Sequence, residues 1–158
     1  NEDEIEIKAQ IENCDKKNSS LKIKKKKGEE NKTDLYKCFS KSGKNFELEN
    51  DTILTCQLES SEGYVSAKLD LDTIFFNQNG RLRRGFGGFK QNSKNIKLEK
   101  VGDNEDLHLT ADCERKDKTF RTNSWVNLDG YFGNKNGKIV YNKAINKKKF
   151  GKKVTKSD

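Results

Sequence analysis

The sequence of 158 residues has no proline, no methionine, one histidine, one tryptophan and four cysteines. A single His and the lack of any C-x-x-C spacing argue against a zinc site, which needs several Cys and His ligands at short spacing. They argue equally against a His-dependent nucleophile. No apolar run approaches the ~20 residues of a membrane-spanning helix, which excludes a transmembrane segment. Only 30% of the residues are hydrophobic, too few for a second full-sized core, so one domain with tails is expected. With Asn1 in place of an initiator Met, the chain reads as mature or trimmed.

What the sequence has instead is charge. Charged residues make up 37% of it, and 33 Lys and Arg against 25 Asp and Glu leave a net +8. Residues 1–36 carry nine charges of each sign, 37–143 carry 18 basic and 15 acidic, and 144–158 carry six Lys and one Asp. The excess therefore sits mainly at the C-terminal end. The N-terminal part is neutral in sum but split between an acidic start, Asn1 to Ile7, and a basic run, Lys22 to Lys27. Runs of this kind bind nucleic acid, heparin-like glycans or an import receptor. For the C-terminal Lys cluster a solvated tail is the plainer reading, since only Val154 follows Phe150 as an apolar anchor.

Hydrophobic periodicity is that of strands. Ile5, Ile7, Ala9 and Ile11 alternate with charged or polar residues, which is the period of two of a half-buried strand. From Leu35 onward short apolar alternations recur between clusters of Gly, Asn, Asp and Ser, and no segment holds a helical stripe. The chain is expected to be all-β.

The most informative feature is self-similarity at an offset of 57 residues. Cys56 returns as Cys113, Leu71 and Asp72 as Leu128 and Asp129, and Phe75 as Phe132. Asn77, Asn79 and Gly80 return as Asn134, Asn136 and Gly137, and Leu82 as Ile139. The order within each copy is the same: strand, Cys, polar turn, an aromatic (Tyr64 or Phe120), an Asp-bearing segment, then N-x-N-G. Asn-Gly tolerates the positive φ that a type I′ turn needs at both central residues, so each copy is expected to close a hairpin there. Neither copy has enough apolar residues to stand alone, and one shared core is expected.

These residues resemble the cyanovirin-N homology domain family, a tandem repeat of about fifty residues. The first copy matches through Phe39-Ser40, Ile53-Leu54-Thr55-Cys56, Gly63-Tyr64, Leu69-Asp70-Leu71-Asp72 and Asn77-Gln78-Asn79-Gly80. The second matches through Gly88-Phe89, Leu107 to Cys113, Phe120, Val126-Asn127-Leu128-Asp129 and Asn134-Lys135-Asn136-Gly137. The resemblance spans roughly residues 37–142, with repeats at about 37–86 and 87–142. It leaves residues 1–36 as an N-terminal β extension and 143–158 as a basic C-terminal tail. It implies a pseudo-symmetric fold of triple-stranded sheets and β-hairpins. It also implies a lectin-like carbohydrate-binding module for mannose-type glycans, with no enzymatic activity, metal or cofactor, as a monomer or a domain-swapped dimer.

Carried over residue by residue, the resemblance implies one sugar site at Lys41, Ser42, Gln57, Glu59, Asn134 and Asn136. It implies a second at Asn77, Asn79, Gly88, Gln91, Asn92, Glu114, Arg115 and Lys116. Asn, Gln, Ser and the backbone of a hairpin supply paired donors and acceptors on short side chains, as sugar hydroxyls require. Two departures stand out. The Asp common in the family's turn is Asn at both Asn79 and Asn136, and Arg83, Arg84, Arg115 and Lys116 crowd the second site.

Four cysteines allow three pairings, and their even number favours disulfides and a secreted chain. In the family's type member each repeat has its own disulfide, and the first-cysteine positions match Gly43 and Ser93 here. The pairing expected from the resemblance is therefore Cys38–Cys56 with Cys14–Cys113, which tethers the N-terminal extension. Sequons at Asn18, Asn31 and Asn50 are compatible with secretion. An alternative keeps the fold but gives it acidic partners (sulfated glycans, nucleic acid or a host protein) bound through basic surfaces, as for an effector delivered to a host cell and its nucleus. Three further expectations concern single features. His108 sits on an outer strand face, Trp125 packs in the core, and the Gly-rich stretch from Arg81 to Phe89 is a flexible link between repeats rather than a single-stranded nucleic-acid site.

Overall fold

The computed structural model describes residues 36–142. The strand expected around Ile5 to Ile11, the Lys22–Lys27 run, Cys14, the sequons at Asn18 and Asn31 and the tail 143–158 lie outside the described residues.

Among the described residues eleven strands follow one another: β1 (Tyr36–Cys38), β2 (Gly43–Glu49), β3 (Ile53–Ser60), β4 (Gly63–Asp70), β5 (Phe75–Gln78), β6 (Arg81–Arg84), β7 (Ser93–Val101), β8 (Asp106–Glu114), β9 (Phe120–Asn127), β10 (Phe132–Lys135) and β11 (Lys138–Tyr141). Helical structure is confined to short turns at Leu71–Thr73, Phe89–Asn92 and Leu128–Tyr131. The strands form where apolar residues alternate. On β3 Leu54, Cys56 and Leu58 are buried, and on β8 Leu107, Leu109, Ala111 and Cys113 are, each one face of a pleated strand. The sheets run in the orders β1-β10-β11, β2-β3-β4, β5-β6 and β7-β8-β9.

The chain divides into two compact units that do not follow the sequence repeats. One takes the described residues up to Lys44, then Leu58–Val65 and the residues from Asp129 on; the other takes Asn45–Gln57 and Ser66–Leu128. The four fully buried phenylalanines show the interleaving. The first unit holds Phe39 from one repeat and Phe132 from the other, ring centroids 5.9 Å apart and edge-on. The second holds Phe75 and Phe89, again one from each repeat. In each unit the two fully buried phenylalanines come from different repeats. Removing any of the four rings costs about 3–5 kcal/mol.

The repeated aromatic of each copy is capped by a lysine. Lys44 Nζ lies 4.1 Å from the Tyr64 ring centre and Lys94 Nζ 4.2 Å from that of Phe120, both within cation–π range.

Three expectations are corrected. The cysteines are not paired as expected: Cys38 is disulfide-bonded, while Cys56 and Cys113 are free and buried. The Cys38–Cys56 and Cys14–Cys113 bridges are therefore not formed. For Cys113 the reason is visible. Its cross-strand partner is Ser93, whose Oγ donates to the Cys113 sulfur at 3.4 Å, so a hydroxyl stands where a second thiol would be. For Cys56 the matching position is Gly43, which has no side chain to offer. Burial pushes the Cys56 thiol up to about 11 and raises that of Cys113, so both stay protonated near neutrality and are poor nucleophiles.

Trp125 does not pack in the core; it is 58% exposed. Its neighbours Ser124 and Val126 take the inward positions of β9, and period two turns the indole outward. There it stacks on His108, with centroids 4.6 Å apart and planes 10° apart.

The link between repeats is fastened rather than loose. Arg81 to Arg84 pair with β5, Gly85 N–H donates to Ile74 O, and Gly88 N–H donates to Asp72 O, both at 2.7 Å. Gly87 has φ +88°, and a Cβ there would lie 2.4 Å from Asp72 O, so only glycine fits that approach. Phe86 is exposed and stacks on Phe76, centroids 4.4 Å apart.

Candidate functional site

Each unit contains one of the two N-x-N-G turns, and the turns have the same construction. Residues Gln78 and Arg81, and Lys135 and Lys138, are the last paired positions of their hairpins. Each pair leaves a two-residue loop. Asn79 and Gly80 have φ of 48° and 98°, and Asn136 and Gly137 have 50° and 92°, the positive values of a type I′ turn.

The first Asn of each turn is a brace. Asn77 Oδ1 accepts from Gly80 N–H and Asn134 Oδ1 from Gly137 N–H, both at 2.7 Å. Asn77 Nδ2 donates to Glu114 O at 2.8 Å, and Asn134 Nδ2 to Glu59 O at 3.1 Å. One amide thus closes the turn and ties it to the strand that carries the cysteine. The second Asn ties the turn to the loop beyond that strand: Asn79 Oδ1 accepts from Lys116 N–H at 2.8 Å and Asn136 Oδ1 from Ser61 N–H at 2.7 Å. A third piece of chain joins through the segment after the opening Phe. Asn77 Nδ2 reaches Asn92 Oδ1 at 3.2 Å, and Asn134 Nδ2 reaches Ser42 Oγ at 2.9 Å. Three chain segments converge at each turn, held by amides that are themselves held.

A buried or half-buried Asp anchors that third segment. Asp129 Oδ1 accepts from Ser40 N–H at 2.8 Å and its Oδ2 from Ser40 Oγ at 2.6 Å. Asp72 Oδ1 accepts from Lys90 N–H at 2.8 Å. The Leu-Asp repeat at offset 57 was the sequence signal for both anchors, although the residue-by-residue site assignment did not include them. It also omitted Asn45, Asn95 and Ser61. Asn95 Nδ2 donates to Asp112 Oδ2 at 2.7 Å and Asn123 N–H donates to Asp112 Oδ1. These hydrogen bonds hold the Asp112 carboxyl below its usual range.

The turns differ in what stands around them. At the Asn134 turn most expected site residues are committed. Ser42 and Asn134 are buried, and Ser42 Oγ donates to Cys38 O. The Lys41 side chain is 7% exposed with its ammonium 3.7 Å from Asp129 Oδ2. Glu59 pairs with Lys37 at 2.7 Å. Gln57 Oε1 accepts from Asn45 Nδ2 at 2.7 Å. Asn136 stays exposed. At the Asn77 turn Asn79, Gly88, Gln91, Asn92 and Lys116 are exposed, and Asn77, Glu114 and Arg115 half-buried. Arg115 Nη1 donates to Thr119 Oγ1 at 3.1 Å. Thr119 in turn donates from its N–H and hydroxyl to Asp117 Oδ1, which holds the Asp117 carboxyl below its usual range.

The glycines at the turn tips report the surroundings directly. A Cβ at Gly137 would meet Val65 Cγ2 and Ser60 Cβ; one at Gly80 would meet Arg115 Cγ and Arg121 Cβ, each at 3.0 Å.

Comparison with known proteins bears on the whole arrangement. The family model described as CVNH domain matches residues 39–141. The cyanovirin-N homolog of Tuber borchii is 32% identical over 105 residues, which cover 65% of this chain and 97% of that protein. The solution structure of the CVNH protein of Gibberella zeae superposes with a TM-score of 0.59 at 32% identity, covering 65% of this chain and 95% of that one. Microvirin, solved in complex with mannobiose, superposes with a TM-score of 0.57 at 20% identity, covering 65% of this chain and 96% of its own.

Proposed function

The chain belongs to the CVNH domain family, and from that premise we propose that it is a non-enzymatic lectin with a glycan site at each of its two N-x-N-G turns. The observation that carries the reading is that the same three-segment junction is built twice, from the same atoms. A hairpin braced by its own amides presents donors and acceptors without the cost of ordering them on binding. Because Asn134 and Ser42 are buried and hydrogen-bonded, they act as framework. The groups that meet sugar hydroxyls are the side-chain NH2 groups of Asn79 and Asn136 together with Gln91 and Asn92. Microvirin, which shares the fold, is solved with mannobiose bound, so mannose-type disaccharides are the first ligands of choice. The bonded state of Cys38 suits a secreted protein in an oxidising compartment.

Titration of the full chain with mannobiose tests this, using Asn79→Ala, Asn136→Ala and the double variant, with circular dichroism to verify folding. The double variant is expected to lose mannobiose binding, and the single variants show how that binding is shared between the turns. A folded double variant that binds mannobiose as the parent does would refute the site assignment.

A further inference from the structure

We propose that the Asn77–Gly80 turn takes an anionic saccharide, one bearing a sulfate ester or a uronate carboxylate, while the Asn134–Gly137 turn takes a neutral one. This rests on the reading that both turns are glycan sites.

The argument is a comparison of equivalent places. The residue that donates its backbone N–H to the second Asn is Ser61 at one turn and Lys116 at the other. The side chains that flank the tip glycine are Ser60 and Val65 at one turn and Arg115 and Arg121 at the other. Three neutral residues at the first turn are thus three cations at the second, whereas the residue after the tip glycine is basic at both, Lys138 and Arg81. The cations of the first turn's other segments are matched: Lys37 by Glu59 and Lys41 by Asp129. At the second turn Arg115, Lys116 and Arg121 have two carboxylates near them in the sequence, Glu114 and Asp117. Asp117 is already hydrogen-bonded by Thr119.

A guanidinium beside a turn of amides has a specific use. It offers a planar fork of donors that fits the oxygens of a sulfate or carboxylate, while Asn79, Gln91 and Asn92 remain exposed for hydroxyls. Open aromatic faces, which would favour stacked bases, are few at this turn. Phe120 carries the Lys94 ammonium over its ring, and Phe76 is covered by Phe86. A saccharide with one or two fixed charges therefore fits better than a nucleic acid strand.

The test is an amide-resolved NMR titration of the full chain with four probes: a heparin-derived tetrasaccharide, a hyaluronan tetrasaccharide, mannobiose and a single-stranded oligonucleotide of matched charge. Three proteins are compared. These are the parent, a variant in which the second turn receives the first turn's residues (R115S/K116S/R121V), and a control with equal charge removed from the tail (K147Q/K148Q/K149Q). The heparin fragment is expected to shift Gly80 and Lys116 and not Gly137. The turn variant should weaken it about ten- to hundredfold, as for loss of charge-assisted hydrogen bonds, and the tail variant should not. A matching response to hyaluronan shows that a carboxylate suffices; a response to heparin alone assigns sulfate. Three results would overturn the inference: mannobiose at both turns with no gain from anionic sugars, equal losses in the turn and tail variants, or an oligonucleotide that binds as tightly as the heparin fragment. The first of these leaves the lectin reading intact, whereas silence with every saccharide removes both. Melting curves of the turn variant, together with its mannobiose titration at Gly137, confirm that a loss at Gly80 is local.

Discussion

The two turns share their inner atoms and differ in their outer ones. In both, the first Asn accepts from the tip glycine at 2.7 Å, and the second takes a backbone N–H from the loop beyond the cysteine strand. Around that common frame one turn has Asn134 and Ser42 buried and Lys41 paired with Asp129. The other is open and cationic. The difference teaches which residues a duplicated fold must keep. A two-residue turn needs positive φ twice and a partner for its buried N–H, so those positions repeat. Positions that merely face the turn are free to diverge, and it is there that ligand choice is set.

Exchanging the two anchors gives the largest expected effect. Asp129 takes two hydrogen bonds from Ser40 and faces a nearly buried ammonium. Asp129→Ala removes both hydrogen bonds to Ser40 and the carboxylate beside the Lys41 ammonium, and should cost about 3–5 kcal/mol in a urea unfolding titration. Asp72 serves one exposed N–H, so Asp72→Ala should cost about 1 kcal/mol. Equal losses would mean that the two frames are alike in energy and that the burial at the first turn has no consequence for stability.

Much of this was legible in the sequence, for physical reasons. The hairpins could be read because Asn-Gly is one of the few dipeptides that satisfy a type I′ turn. The strands could be read because one face is buried and the apolar period is two. The anchors were half legible: Leu-Asp repeats, but nothing local says that Asp129 holds Ser40, 89 positions away. The interleaving of repeats was not legible. Phe39 and Phe89 are equivalent in sequence, yet they are buried in different units, Phe39 against the Phe132 ring of the other repeat. Periodicity also could not place Trp125, because an indole flanked by valine and serine suits either face until the register of β9 is fixed. The sequence marks Asn77 and Asn134 through the repeated N-x-N-G, but that their amides brace the turns follows only from hydrogen bonds to residues distant in the chain.

Cysteine pairing sharpens the comparison next. Ser93 and Cys113 are directly opposite on antiparallel strands, where Cα atoms lie about 4.5–5.5 Å apart, within disulfide range. Ser93→Cys should therefore close a bridge upon oxidation. For a loop of this size the chain-entropy estimate is about 3 kcal/mol. The check is a thiol count under denaturing conditions, paired with the urea midpoint before and after reduction. A variant with two more free thiols than the bridge predicts, and no shift of midpoint, would show that the two side chains do not meet as the 3.4 Å contact implies.

The smallest effect concerns the outward position that precedes the Leu-Asp and Val-Asn pairs of the repeats. The first repeat places Lys68 there, 66% exposed along its side chain and 3.3 Å from Glu49. The second places Trp125, stacked on His108. An exposed ion pair contributes about 0–1 kcal/mol and an aromatic stack about 0.5–1.5 kcal/mol, so neither position governs stability. Trp125→Lys, which copies the first repeat into the second, should cost about 1 kcal/mol. It also uncovers Thr110, the cross-strand partner of Trp125, whose buried hydroxyl has no hydrogen-bond partner among the described residues; hydration of that hydroxyl offsets part of the loss. Unfolding titrations and the His108 imidazole resonances, which should lose their ring-current shift, check this together. A cost above about 3 kcal/mol would mean that the indole is part of the core after all, and that the outer face of β7-β8-β9 is not free to differ between the repeats.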